Sequence, residues 1–284
     1  MERHFLIYTN RHKDPKLEVT ERIKSFLEQH GQRVSLRILD RDWKEENEEE
    51  AVSVPSDADI MLVLGGDGTV LQAARETIHF HIPMIGVNLG TLGFITQIET
   101  TGLDGALERL MKEDYRVEPR MLLQGKALLK DGTLCAQLAL NDIVISRKGS
   151  LRVISLQIFV NGTFLHEYHA DGIIVTTPTG STGYNLSAGG PLVEPSAKLI
   201  MLTPICPHTL NQRSIILSPE DEIEIRIPLG KEDKGQEVEA SFDGAHLLTM
   251  RTGDRILISR SEECAQFIQL NRISFLETLH QKMN

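Results

Sequence analysis

Cysteine is scarce in this chain. Cys135, Cys206 and Cys264 are odd in number, far apart and in no C-x-x-C pattern, so neither a zinc site nor a disulfide framework is expected. Positive charge is also short, with a formal net charge of -10, which argues against DNA, RNA or an anionic membrane as a partner, because phosphate-backbone binding needs a basic face. A small phosphorylated ligand stays open, since backbone N–H groups and a metal can do the neutralising. No apolar run approaches the roughly 18 residues of a membrane span. The apolar stretch Phe5 to Tyr8 is too short for a signal peptide, so the expectation is a reduced, cytoplasmic protein. No G-x-x-x-x-G-K-[ST] occurs, which excludes a P-loop enzyme, and no G-x-G-x-x-G opens a helix after the first strand, so the ordinary dinucleotide fingerprint is missing. There is no internal repeat and no low-complexity tract.

What is present is organised around Ile60 to Thr69. Five apolar residues, Ile60 to Leu64, read as a strand buried on both faces. The run ends in Gly65-Gly66-Asp67-Gly68, and then Val70, Leu71, Ala74 and Ile78 take helical spacing. In an open α/β sheet this is the carboxyl end of a strand, where ligands bind. Glycine lets a ligand approach the backbone, and N–H groups at a helix N-terminus attract phosphate. An acid there needs a reason. Asp67 can hold a metal, accept a proton from an attacking hydroxyl, or cap the helix.

The first part of the chain alternates strands and helices. Phe5 to Thr9 and Val34 to Ile38 read as strands, Lys16 to His30 as a helix stopped by Gly31, Met84 to Val87 as a strand, and Leu103 to Met111 as a helix. Glu45 to Glu50 has no apolar stripe and reads as a solvated loop. This pattern predicts a mostly parallel, helix-covered sheet. The character changes near Val117. Alternation marks strands at Leu134 to Leu140, Ile154 to Val160, Ile223 to Ile227 and Val238 to Phe242, with hairpin or turn signals at Asn161-Gly162 and Asp243-Gly244 and a charged loop over Lys231 to Glu237. This part predicts a β-rich, sandwich-like domain. Ser274 and Glu277 form a capping-box pattern for a last helix.

Two further stretches carry chemistry. The strand Ile173 to Thr177 delivers the chain into Pro178-Thr179-Gly180-Ser181-Thr182-Gly183-Tyr184-Asn185, a segment rich in donors and acceptors, with Tyr184 as a flat surface for a ring. Ser181 lacks the G-x-S-x-G frame and reads as a hydroxyl donor, not a nucleophile. Asn141-Asp142 pairs an amide with a carboxylate, which suits the vicinal hydroxyls of a ribose, although a turn or β-bulge uses the same residues. His166-Glu167-Tyr168-His169 is a poor metal motif, because strand positions three apart face opposite ways.

These stretches together resemble the NAD kinase (ATP-NAD kinase) family, of the bacterial type. Its pattern is a Gly-Gly-Asp-Gly turn, an Asn-Glu or Asn-Asp pair, and a Thr-Pro-Thr-Gly-Ser-Thr segment followed by tyrosine. The counterparts here are Gly65 to Gly68, Asn141-Asp142 and Thr177 to Asn185, with further likeness at Asn88 to Phe94 and from Thr203-Pro204 to Pro207-His208. The first turn is shared with diacylglycerol kinases and phosphofructokinases; the last segment is the specific one.

The resemblance implies an α/β N-terminal domain over residues 1–118 and a β-rich dinucleotide-binding domain over 119–269, with 270–284 returning to the first. It implies transfer of the ATP γ-phosphoryl group, with Mg²⁺, to the 2′-hydroxyl of the adenosine ribose of NAD. Asp67 would accept the proton and Gly68 would line the phosphate path. Asn141 and Asp142 would hold ribose hydroxyls, Thr182, Tyr184, Asn185 and Ser187 would surround the adenine, and Gly183 would be among the nucleotide-binding residues. Asp171 would bind another part of the dinucleotide, from a neighbouring subunit of a homodimer or homotetramer. Arg152 and His169 sit where family members have basic or polar contacts, and no residue is assigned as a metal ligand. Asp142 stands where many members have glutamate, and Gly183 where many have alanine. Two other readings are a lipid or sugar kinase sharing the first turn, and a non-catalytic NAD(P) sensor. No basic or apolar membrane face supports the lipid kinase, and the retained Asp67 counts against the sensor.

Overall fold

The computed structural model describes residues 2–40, 54–91, 93–149, 152–209, 213–230, 234–270 and 275–283. The acidic stretch Glu45 to Glu50, residues 231–233 of the charged loop and Ser274 of the expected capping box lie outside them. The chain forms two compact units, residues 1–120 with 264–284, and residues 121–263.

In the first unit the order is β1 (His4–Asn10), α1 (Glu18–Gln29), β2 (Arg33–Leu39), β3 (Ile60–Gly65), α2 (Asp67–Thr77), β4 (Met84–Asn88), β5 (Ile98–Glu99) and α3 (Leu103–Met111). The strands pair in parallel in the order β2-β1-β3-β4, with β5 on β4. β1 and β3 are buried along their whole length; β3 is accordingly an unbroken apolar run, and β1 has the apolar stretch Phe5–Tyr8 between buried His4 and buried Thr9 and Asn10. β2 lies at the edge, and its exposure varies along its length. α1 begins two residues later than its apolar spacing suggests. Leu17 is left-handed (φ 56°), and the Asp14 carboxylate accepts the Thr20 N–H at 2.9 Å, so Asp14 serves as the cap from outside the helix. Ile23, Leu27, Leu62, Ile85, Leu103 and Leu107 pack one core, each contributing about 1.5–3 kcal/mol by burial.

Among the described residues the second unit is built of strands, with one 3-10 turn (Thr179–Thr182) and one short helix. They are the end of β6 (Arg116–Leu128), then β7 (Leu134–Ala139), β8 (Asp142–Arg147), β9 (Ile154–Val160), β10 (Thr163–Ala170), β11 (Gly172–Thr176), α4 (Tyr184–Ser187), β12 (Ile200–Ile205), β13 (Ile215–Leu217), β14 (Ile223–Arg226), β15 (Glu237–Phe242), β16 (His246–Arg251) and the start of β17 (Arg255–Gln269). One antiparallel sheet runs β13-β12-β11-β8-β15-β16. β10-β9-β14-β17 forms the other. Ile143, Ile145, Ile173 and Val175 from the first and Leu156, Ile158, Ile225 and Ile256 from the second share one core, the mark of a sandwich. The β9–β10 turn has Asn161 at φ 50° and Gly162 at φ 75°, the two positive values a two-residue type I′ turn requires.

The last strand starts in one unit and finishes in the other. Phe267 pairs with Met84, and Ile268 and Leu270 join the first unit's core, so residues 264–269 go with that unit and not with 121–263. α5 (Phe275–Met283) returns to the same unit, where the Lys282 Nζ lies 4.5 Å from the centre of the Phe94 ring.

Candidate active site

The first unit places Asp67 as the opening residue of α2, directly after β3 and with extended Gly66 before it. Its carboxylate does not cap its own helix. It reaches across to the segment after β4 and accepts the N–H groups of Phe94 (2.7 Å), Ile95 (3.1 Å) and Thr96 (3.2 Å). Gly93 makes this approach geometrically open: a Cβ there would fall 1.9 Å from Asp67 Oδ1. A carboxylate has about four lone-pair directions, so three such bonds fix its orientation and leave room for one more donor. Gly65 is closed in a similar way, since a Cβ there would fall 2.3 Å from Thr69 Oγ1. Gly68 is exposed, and a side chain at Gly66 or Gly68 would meet nothing within 4 Å. The N-terminus of α2 therefore presents bare backbone N–H groups beside a held acid.

The second unit assembles around Asn141 and Asp142 at the start of β8. Thr176 and Thr177, at the end of β11, hook the carbonyls before them: Thr176 Oγ1 donates to Asn141 O at 2.9 Å and Thr177 Oγ1 to Leu140 O at 2.6 Å. Gly180 then lies so close that a Cβ would sit 2.4 Å from Asn141 O. Gly183 faces the pair, its Cβ position 3.4 Å from Asn141 Nδ2 and 3.8 Å from Asp142 Oδ2. Asn141, Asp142 and Tyr184 line one cleft of about 470 Å³, with Glu239, Ser241 and Asp243 from the adjacent strand β15 and its turn. Among the described lining residues there is no lysine or arginine. Tyr184 is half exposed, and its hydroxyl is held in the neutral form by burial first, then by Cys206, Asp171 and Asp142.

Asp142 is 6% exposed, and burial, with the nearby Asp243 second, pushes its carboxyl up to about 7. The folded chain thus holds this proton to higher pH than the unfolded chain does. Its stabilising effect is present below pH 3.8 and is lost as pH rises through about 7. Asp142→Asn should therefore melt at a higher temperature than the parent at pH 8, on the order of 1–3 kcal/mol, with little difference at pH 4. Scanning calorimetry at both values checks this; equal gains at both would assign the effect to packing.

The other expected contacts are placed differently. Asn185 is fully buried and its amide is occupied internally: Nδ2 donates to Pro191 O at 3.0 Å and Oδ1 accepts Thr203 Oγ1 at 2.7 Å. It holds the segment from behind and is not a surface offered to adenine. Ser181 is likewise internal, its Oγ donating to Val193 O at 3.0 Å. Thr182 is partly buried beside Tyr184, and Ser187 is exposed at the end of α4. Asp171 is paired with Arg147, Nε to Oδ1 at 2.9 Å. Arg147 and Arg152 line a second cleft of about 660 Å³ with Lys148 and Lys234, apart from the one at Asp142. His169 is exposed, with Nδ1 2.9 Å from Ser155 Oγ, while His166 packs edge-on to Tyr168 at 4.7 Å. Asp243, Gly93 and Arg147 were not legible as site residues. Asp243-Gly244 reads as a turn, and only the spatial return to Leu140–Asp142 shows its further use.

Comparison with known proteins gives consistent matches. Residues 5–115 match the family model described as the ATP-NAD kinase N-terminal domain, and residues 140–270 match that of the ATP-NAD kinase C-terminal domain. An NAD kinase of Lachnospira eligens is 44% identical, covering 99% of this chain and 100% of the relative. One of Agathobacter rectalis is 43% identical, over 99% and 98%. Among solved structures, yeast NADH kinase complexed with NADH superposes with a TM-score of 0.81 at 24% identity, covering 100% of this chain and 88% of that one. An NAD kinase from Archaeoglobus fulgidus in complex with ATP gives 0.76 at 24% identity, over 98% of both chains. At that identity the two structures show the fold alone.

Proposed function

The chain belongs to the ATP-NAD kinase family, and from that premise we propose how its residues divide the work. It is a phosphotransferase that moves the γ-phosphoryl group of ATP to the 2′-hydroxyl of the adenosine ribose of NAD, giving NADP. The observation that carries the assignment of roles is the cleft at Asp142, lined by the Asn141 amide, the Tyr184 ring and the carboxyls of Asp142, Glu239 and Asp243, with no cation among the described lining residues. Such a lining suits a neutral nucleoside and not a phosphate. Asn141 and Asp142 take the ribose hydroxyls, and Thr182, Gly183 and Tyr184 border the base. Asn185 keeps that border in shape.

Asp67 is the proton acceptor. The ribose hydroxyl is a poor nucleophile at neutral pH, so its oxygen attacks the γ-phosphorus as its proton passes to a carboxylate, and ADP leaves. The three N–H bonds to the 94–96 segment orient that carboxylate before substrate arrives. Gly66 and Gly68 offer N–H groups to phosphate at the start of α2. Mg²⁺, brought with ATP, supplies charge neutralisation at the transferred group. No group of three or more His, Cys, Asp or Glu among the described residues could cage a cation, and phosphate oxygens and water are the usual donors for Mg²⁺. Asp171, Arg152 and His169 serve the rest of the dinucleotide in a homodimer or homotetramer, and the protein works in the cytoplasm. Among the described residues no helix is long and apolar enough to cross a membrane.

The test is NADP formation by the purified chain with ATP, Mg²⁺ and NAD. NAD binding by calorimetry without any NADP would instead favour a sensor.

A further inference from the structure

Asp243 sits at the tip of the β15–β16 hairpin, a hundred residues from Asn141 in sequence. Its carboxylate accepts three successive backbone N–H groups: Leu140 at 2.8 Å, Asn141 at 2.7 Å and Asp142 at 3.0 Å. Its own N–H returns a bond to Asp142 O at 3.0 Å. The residue adopts φ 51°, a conformation that aspartate and asparagine tolerate better than other side chains do. A neutral turn needs none of this. Three N–H groups converging on one carboxylate form a clasp, and what it clasps is the backbone that presents the amide and carboxyl to the cleft.

We propose that Asp243 is a positioning residue for the reaction: it fixes the Leu140–Asp142 backbone and couples its own negative charge to the ribose acceptor beside it. The proposal rests on the reading that Asp142 takes ribose hydroxyls. The groups facing Asp142 are Asp243 from the hairpin tip, Glu239 from β15 and Tyr184 from α4. None is basic. Burial is the larger cause that raises the carboxyl of Asp142, and among these groups Asp243 is the one whose charge adds to it. A hydroxyl donor binds the ionised carboxylate better than the acid, so a bound ribose works against this like charge. The clasp therefore does two opposed things. It holds the acceptor in place, and its charge adds to burial in making the acceptor reluctant to ionise until a hydroxyl arrives or the pH rises.

The experiment is NAD affinity against pH for the full chain and two variants, by calorimetry without ATP, with KM and kcat measured beside it. In the parent, the Kd for NAD should tighten up to about tenfold per pH unit below a midpoint near 7, then level off. In Asp243→Asn the amide keeps the Oδ1 bonds but turns N–H groups toward Leu140 N–H. The plateau should weaken about 3–10-fold, kcat should stay within about twofold, and the midpoint should move lower because the like charge is gone while burial remains. A weaker plateau with the midpoint unmoved would overturn the proposal and leave Asp243 a turn residue. Asp142→Asn should flatten the profile. If it instead keeps the parent's Kd at every pH, the ribose reading itself fails. If Asp243→Asn does not fold, Asp243→Ser keeps one acceptor and no charge, and it answers the same question with its melting curve as control.

Discussion

Asp67→Asn should bind NAD as the parent does and turn over about 10³-fold more slowly, the usual range for losing a general base being roughly 10²–10⁴. The substitution is isosteric. Its oxygen can keep the Ile95 and Thr96 bonds, both made to Oδ1, while its amide nitrogen faces the Phe94 N–H. One of three anchors is lost, and the segment after β4 stays tethered. Because proton acceptance matters only in the transition state, kcat and kcat/KM should fall together and KM for NAD should hold. Single-turnover NADP formation with excess enzyme isolates the chemical step. Turnover within about tenfold of the parent would remove Asp67 from the base role and leave it as an anchor for residues 94–96.

Gly93→Ala should reproduce much of that loss without touching the acid. A methyl group at this position and Asp67 Oδ1 cannot coexist at 1.9 Å, so the carboxylate must swing away from its three donors. A misplacement of about 1 Å at a reacting group costs on the order of 10² in rate. The expected result is a kcat lowered about 10²-fold, with NAD affinity unchanged, since Asn141 and Asp142 lie in the other unit. The double variant Gly93→Ala/Asp67→Asn separates the causes. If both act through one carboxylate, it should be hardly slower than Asp67→Asn alone. Full multiplication of the two losses would show that Gly93 serves something else.

Local chemistry was legible in the sequence, and distant chemistry was not. Asn161-Gly162 announces its hairpin because a two-residue turn needs two positive φ values, a demand met within the turn. The buried strands declare themselves by apolar runs, Phe5–Tyr8 in β1 and Ile60–Leu64 in β3. Gly65-Gly66-Asp67-Gly68 marks a ligand turn, yet nothing in it says that the acid would be held by Phe94, Ile95 and Thr96. That depends on the β3–β4 pairing, which carries residues 94–96 to the end of the neighbouring strand. Asp243 was hidden for the same reason. Asn185 misleads in the opposite way: it adjoins Tyr184 in sequence, but a helical turn points neighbours to different sides, and the amide goes inward to Pro191 and Thr203. The start of α1 shows a smaller version. Apolar spacing continues to Leu17, but the cap from Asp14 and the left-handed Leu17 set the boundary.

The division of β17 between the two units has a consequence for how the chain is made on the ribosome. Residues 121–263 are contiguous, so the second unit can close as soon as they emerge. The first unit cannot. Its parallel sheet is translated early, but Phe267, Ile268 and Leu270, which cover β4 and complete that core, come more than 140 residues after α3 has left the tunnel. At roughly 5–20 residues per second, the β4 edge and its apolar neighbours wait about 10–30 s without their last strand. The half that carries Asp67 is thus begun first and finished last, and during that interval nascent chains are most exposed to chaperones, proteases and one another.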